Sequence, residues 1–184
     1  MAVKNEEIYP NCQTTIRTVE IGGLTKSQLI LKIQQQAILM NEFGKMLFAD
    51  DKFKTSDSKY IIETVELTVQ DLGLAKGGTI TQIFSKANQL DLKLCPLELG
   101  PYLRLEYLDQ PEGEINSRQQ DQAPYGSITV ASEIPTEDDK FPKGFYLRRI
   151  AGVLWLRGYI CDDQHVWEPS DHFIFVKQSG PVAE

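Results

Sequence analysis

Four places in this 184-residue chain hold side chains whose types and spacing could carry chemistry. The first is Cys95, in "LKLCPLELGPYLRLEY" at residues 92–107. A nucleophilic thiol needs a depressed pKa, from a helix N-terminus or a nearby His or Lys. The pattern places Cys95 after a helix, where the dipole raises a thiol instead. A small buried residue before a rigid Pro turn is the expectation. In the same run Glu98, Tyr102, Arg104 and Glu106 share one parity. Carboxylates beside an Arg are the least that acid–base chemistry requires. Glu98 and Arg104 are therefore catalytic candidates, with His165 beside them. The competing reading is a solvated or ion-paired strand face.

The third place is "CDDQHVWEPSDH" at 161–172, where Cys161, His165 and His172 stand among four acidic residues. These are metal-ligand types. The spacing is neither HxH nor HExxH, and no calcium loop is present. A turn needs Asp, Pro and Ser for its own reasons. No metal and no cofactor are expected.

The fourth is aromatic: Tyr146, Trp155, Tyr159, Trp167, Phe173 and Phe175. Trp155 and Tyr159 share strand parity, with Arg157 between them. Exposed, they form a patch of the residue types enriched at interaction hot spots; buried, they are core. Tyr102, Trp155, Arg157, Tyr159 and Trp167 are the binding candidates. Arg148 and Arg149 point to opposite faces, so at least one must meet an acid or a carbonyl. No GxxxxGK[ST], GxGxxG or GxSxG run occurs, which leaves no nucleotide-loop or Ser-hydrolase signature.

The elements that must position these residues are read from periodicity. "TTIRTVEIGG" alternates and predicts a strand. Thr25 and Gln28 have capping-box spacing, and Leu29, Ile33, Ala37 and Met40 recur helically, which predicts a helix over 26–40. "KYIIETVELTVQDLG" predicts a strand. Thr79 and Gln82 repeat the capping box, and Ile83, Phe84, Ala87 and Leu90 form a second stripe. The two strand–helix units, 14–48 and 60–95, raise the question of an internal duplication. From 97 onward alternation predicts strands, the first within 97–107; Pro101 cannot donate to a ladder, so that strand begins near Tyr102 or lies at an edge. Residues 109–126 and "PTEDDKFPKG" read as loops. "FYLRRIAGVLWLRGYIC" reads as a hairpin turning at Ile150-Ala151-Gly152 through a type I turn with a Gly bulge. The fold class expected is α+β, two strand–helix units followed by a mainly antiparallel sheet over 97–177. One domain spans 1–178, and 179–184 is a fraying tail.

Composition narrows the function. Hydrophobic residues make up 41% and charged residues 24%, which suits a packed core. Neither a leader nor a spanning segment is legible, and a cytoplasmic location is expected. Three widely spaced cysteines without CxxC argue against disulfides and zinc. Net charge is −7, and residues 1–60 hold eight Lys/Arg against seven Asp/Glu, so the acidity lies downstream. Phosphate repels such a chain, and nucleic acid is not an expected partner. DNA contact would have to use Lys26 to Lys59 alone.

One stretch resembles a known pattern. "LGLAKGGTITQIFSKANQLDLKLCPLELGPYLRLEYLDQPEGE", with the later "WEPSDHFIFV", is similar to a bacterial protein family. Its members carry LCP-x-E-x-GP-x-LRL, then DQP-x-GE, then a Trp turn before FVFV. The likeness covers roughly 66–114 and 153–177 and implies no activity to carry over. Where members continue from GE into an aliphatic strand, this chain has "INSRQQDQAPYG", so an insertion or a shifted strand is expected at 115–126. Together these readings favour a non-catalytic binding or interaction module with a protein or small-molecule partner. The alternative is a small hydrolase or transferase around Glu98, Arg104 and the 161–172 loop. No membrane association is expected, and a homodimer is left open.

Overall fold

The computed structural model describes residues 7–113 and 123–178. The 179–184 tail and residues 114–122, in the 109–126 loop, lie outside the described residues. Among the described residues no helix is long and apolar enough to cross a membrane.

Two helices form where local chemistry demands them. Helix α1 (Lys26–Gln35) and helix α3 (Ile80–Gln89) each start in a full capping box, from Thr25 and Thr79, with identical N-cap angles of φ −75 and ψ 164. Each ends in a left-handed residue, Ala37 (φ 55) and Asp91 (φ 60). Each then enters a two-residue strand, β2 (Leu39–Met40) and β4 (Leu92–Lys93). Strands β1 (Thr15–Ile21) and β3 (Tyr60–Thr68) precede them. Helix α2 (Glu42–Ala49) follows β2 and is capped by Asn41.

All strands among the described residues join one sheet. Strands β5 (Ile128–Val130), β6 (Gly144–Ile150), β7 (Val153–Tyr159) and β8 (His172–Lys177) complete the order β1-β3-β8-β5-β6-β7-β2, with β4 on β8. β5–β8 and β2–β7 are parallel pairs, so the sheet is mixed. The α+β class holds. The expected order, two strand–helix units and then a separate antiparallel sheet, does not. β1 and β3 pair with each other, and β3 pairs with the last strand, β8.

The sheet separates two cores. On one face α1, α2 and the helix Leu99–Glu106 (α4) cover Val19, Ile21, Leu147 and Leu156, and Phe48, Phe53 and Phe145 meet edge to face at 5.0–6.0 Å. On the other, Ile80, Ile83 and Ala87 of α3 pack over Val65, Leu67, Phe173 and Phe175. Helix α3 therefore shields the centre of that face and leaves the outer face of β6 and β7 to other groups.

The run expected as the first C-terminal strand is helix α4 (Leu99–Glu106). Pro101 falls in its first turn, where a missing N–H costs nothing because it has no intrahelical partner. A Cβ on Gly100 would stand 2.8 Å from Phe145, so the residue type lets the helix lie directly on β6. The β6–β7 hairpin forms as expected, but through a two-residue turn. Ile150 pairs with Val153, and Ala151 (φ 50) and Gly152 (φ 76) are both left-handed. That is a type I′ turn, whose twist matches the strands.

Candidate functional site

Helix α4 changes the surroundings of Glu98 and Arg104. Neither lies on a solvated strand face: Glu98 is 2% exposed and Arg104 fully buried. The Glu98 carboxylate accepts from Ser56 N at 2.9 Å, Ser56 Oγ at 2.6 Å and Tyr60 Oη at 2.9 Å. It ties the start of α4 to the loop before β3. Arg104 donates from Nη1 to Gln110 Oε1 at 2.6 Å and to Trp155 O at 3.3 Å, and from Nη2 to Tyr107 O. Gln110 in turn donates to Leu147 O and Gly126 O, at 3.1 Å each. Burial lowers the Arg104 pKa to about 10, so the guanidinium stays charged at neutral pH. Six residues apart on a helix, the two side chains leave it about 120° apart. Tyr102 lines a separate depression with Lys32 and Lys59, and its hydroxyl accepts from Leu24 N at 3.1 Å.

The 161–172 loop uses its polar groups on itself. Asp162 accepts from Gln164 N and His165 N, both at 2.9 Å, and Asp171 accepts from Glu168 N at 2.8 Å. His172 turns to Glu66. Burial pushes the Cys161 thiol up to about 11, and burial raises Cys95 further. Cys95 is built into the sheet, with its N–H on Ala131 O and its Sγ toward Ile174 O. Among the described residues no three His, Cys, Asp or Glu side chains gather as a metal would require.

Of the aromatic candidates, Tyr159, Trp167, Phe173 and Phe175 are buried in the core on the α3 side, while Tyr146 and Trp155 are half-buried. Pairing sets Tyr146 opposite Arg157 and Arg148 opposite Trp155. Alternation keeps these four on the outer face, while Phe145, Leu147 and Leu156 point to the α1–α2–α4 core. Arg157 Nε donates to Tyr146 Oη at 2.7 Å, and the guanidinium lies 4.9 Å from the Trp155 ring centroid. Burial depresses the Arg148 pKa, Tyr146 opposes that, and the charge of Arg157 adds to it. Beside this face opens a cleft of about 650 Å³, within the usual range for a small-ligand site. Tyr146, Arg157, Tyr159, His165 and Trp167 line it, with Asp139 and Asp162. Trp167 stands edge-on to Tyr159, His165 and Phe173 at 4.9–5.6 Å. Trp167 Nε1 and Tyr159 Oη are buried and have no hydrogen-bond partner among the described residues.

Sequence reasoning missed Asn41. It lines the same cleft, caps α2 through Gly44 N at 2.9 Å, and brackets Gly158 on β7. Its Oδ1 accepts from Gly158 N at 2.8 Å and its Nδ2 donates to Gly158 O at 2.9 Å. The N-cap was legible as Asn before an apolar run; the strand it holds was not. Asp139 was likewise treated as loop.

No family model matches the chain, and neither the curated proteins nor the solved structures contain a match to it.

Proposed function

We propose that the protein is a non-catalytic binding module whose site is the cleft between the outer face of β6–β7 and the 161–167 loop. The observation that carries this reading is Arg157. Tyr146 and Trp155 hold its guanidinium in place, yet among the described residues its two terminal nitrogens have no acceptor. Ordering an Arg side chain costs about 1.5–2 kcal/mol of rotamer entropy. Donors held in place and left unused suit a group from outside the chain.

The chemistry around it supports binding rather than turnover. The Cys95 and Cys161 thiols are buried and shifted away from the thiolate. Glu98 and Arg104, on which a hydrolase or transferase reading would rest, are engaged in joining α4 to its neighbours. On this reading the module works in the cytoplasm of a bacterium, as a monomer or a homodimer. Native mass spectrometry of protein purified gently from its host tests it. A second mass should accompany the wild type and be lost from Arg157→Ala. A wild type that carries nothing would sink the reading.

A further inference from the structure

The charges around the cleft are uneven, and that asymmetry selects a ligand; the step rests on the binding reading above. The other arginines among the described residues are paired. Arg17 holds Glu66 at 2.7 Å and Arg149 holds Glu112 at 3.4 Å. Arg104 is surrounded by carbonyl and amide oxygens. Arg148 and Arg157 differ. They lie diagonally on adjacent strands of one face, and among the described residues neither has a carboxylate within 4.0 Å. Arg148 Nε is buried and has no hydrogen-bond partner among the described residues. Two guanidinium ions thus lie diagonally on one face, with no carboxylate partner among the described residues, in a chain of net charge −7.

The same cleft also carries acidic groups near Cys161, where the charge of Lys143 acts against them. Asp139 and Asp162 line it, and their charges help burial to raise the Cys161 pKa. Phe43, Tyr146, Ile160 and Trp167 contribute to the walls. Trp167 Nε1 is a donor only, so its partner must be an acceptor. With its Nε engaged by Tyr146, Arg157 keeps both terminal nitrogens for a forked contact.

We propose that the cleft binds a small, singly charged oxyanion carried on a planar apolar body, with the anion on Arg157 and Arg148 adding its field. The body lies among Tyr146 and Trp167. Asp139 and Asp162, which line the same cleft, disfavour a second anion on that body.

The test is a titration of ¹⁵N-labelled protein with benzoate, benzamide, terephthalate and inorganic phosphate, following the Arg157 Nε–H and the two indole N–H signals. Benzoate should shift Arg157 and Trp167. Benzamide, the neutral isostere, and terephthalate, the dianion, should each bind about tenfold more weakly. Arg157→Gln should lose about tenfold for benzoate and clearly less for benzamide, whose carbonyl takes only a neutral hydrogen bond. Arg148→Gln, which makes no direct contact, should lose less. Amide dispersion like that of the wild type confirms that both variants fold.

Equal affinity for benzoate and benzamide would overturn the anion assignment while leaving the cleft as a binding site. Tighter binding of terephthalate would overturn the single charge. Tighter binding of phosphate would overturn the planar body and assign a phosphoryl group instead. If no probe shifts these signals the inference falls, and the co-purified mass decides the binding reading separately.

Discussion

His172 Nδ1 stands 2.9 Å from Glu66 Oε1 across the β3–β8 pair, and Arg17 Nη1 holds the other oxygen of that carboxylate at 2.7 Å. The hydrogen bond to Glu66 raises the His172 pKa, burial opposes it, and the charges of Glu66, Asp71 and Asp171 add to the rise. Burial alone would raise Glu66, but His172 and Arg17 outweigh it and the net shift is downward. The His172 contribution is complete below the unfolded value of 6.5 and is lost as pH rises through the raised pKa. The Glu66 contribution is complete above the unfolded value of 4.5 and is lost as pH falls through the lowered pKa. The pair therefore stabilises most between those two values. His172→Gln should flatten the fall of the urea midpoint above about pH 6.5, and an unchanged slope there would refute the linkage.

The Glu98 clamp should be worth more than any surface ion pair. Alanine at 98 leaves Ser56 N–H, Ser56 Oγ and Tyr60 Oη facing a void. The expected loss is about 3 kcal/mol in urea unfolding, against about 1 kcal/mol for Gln, which keeps an acceptor. An Ala variant within about 0.5 kcal/mol of the wild type would show that the loop before β3 does not depend on this carboxylate.

Asn41 joins α2 to the strand that presents Arg157. Its replacement by Ala removes the cap and both bonds to Gly158. A stability loss of about 2 kcal/mol is expected, roughly half of it the cap. Asp restores the cap but sets an oxygen against Gly158 O, so its stability should stay near that of the Ala variant. Amide shifts at Arg157 and Tyr159 in the Ala variant would place the effect at the cleft; shifts confined to α2 would limit Asn41 to capping.

The β6–β7 turn can be improved. Ala151 sits at φ 50, a conformation that Asn adopts at less cost than Ala. Ala151→Asn creates the Asn-Gly pair that type I′ turns favour and should stabilise by about 0.5–1 kcal/mol. A rise in melting temperature checks it, and a fall would argue against the I′ geometry.

Elements with self-contained signals were legible from the chain alone. The Thr25–Gln28 and Thr79–Gln82 boxes started α1 and α3 where expected, because a cap bond reaches only three residues. The β6–β7 hairpin was equally plain, although its turn type was not, since Ala gives little sign of a left-handed backbone. Parity set Arg157 and Tyr159 on one face, whereas the placing of Trp167 of the following loop in the same cleft was not legible. Residues 97–107 were misread because Leu99, Leu103 and Tyr107 recur every four positions, which satisfies a period of 2 and a helical face alike.

What the amino-acid sequence determined by itself was therefore local: which segments cap, which alternate, and that no nucleotide-loop or Ser-hydrolase signature occurs. Tertiary structure decided the rest. Gly100 against Phe145 made α4 a helix lying on β6, and this drew Glu98 and Arg104 inside. Arg104 meets Arg148 O across 44 positions, and Asn41 meets Gly158 across 117. Propensity and periodicity sum over neighbours in the chain, whereas burial and hydrogen-bond satisfaction are settled by groups brought together from far apart along it.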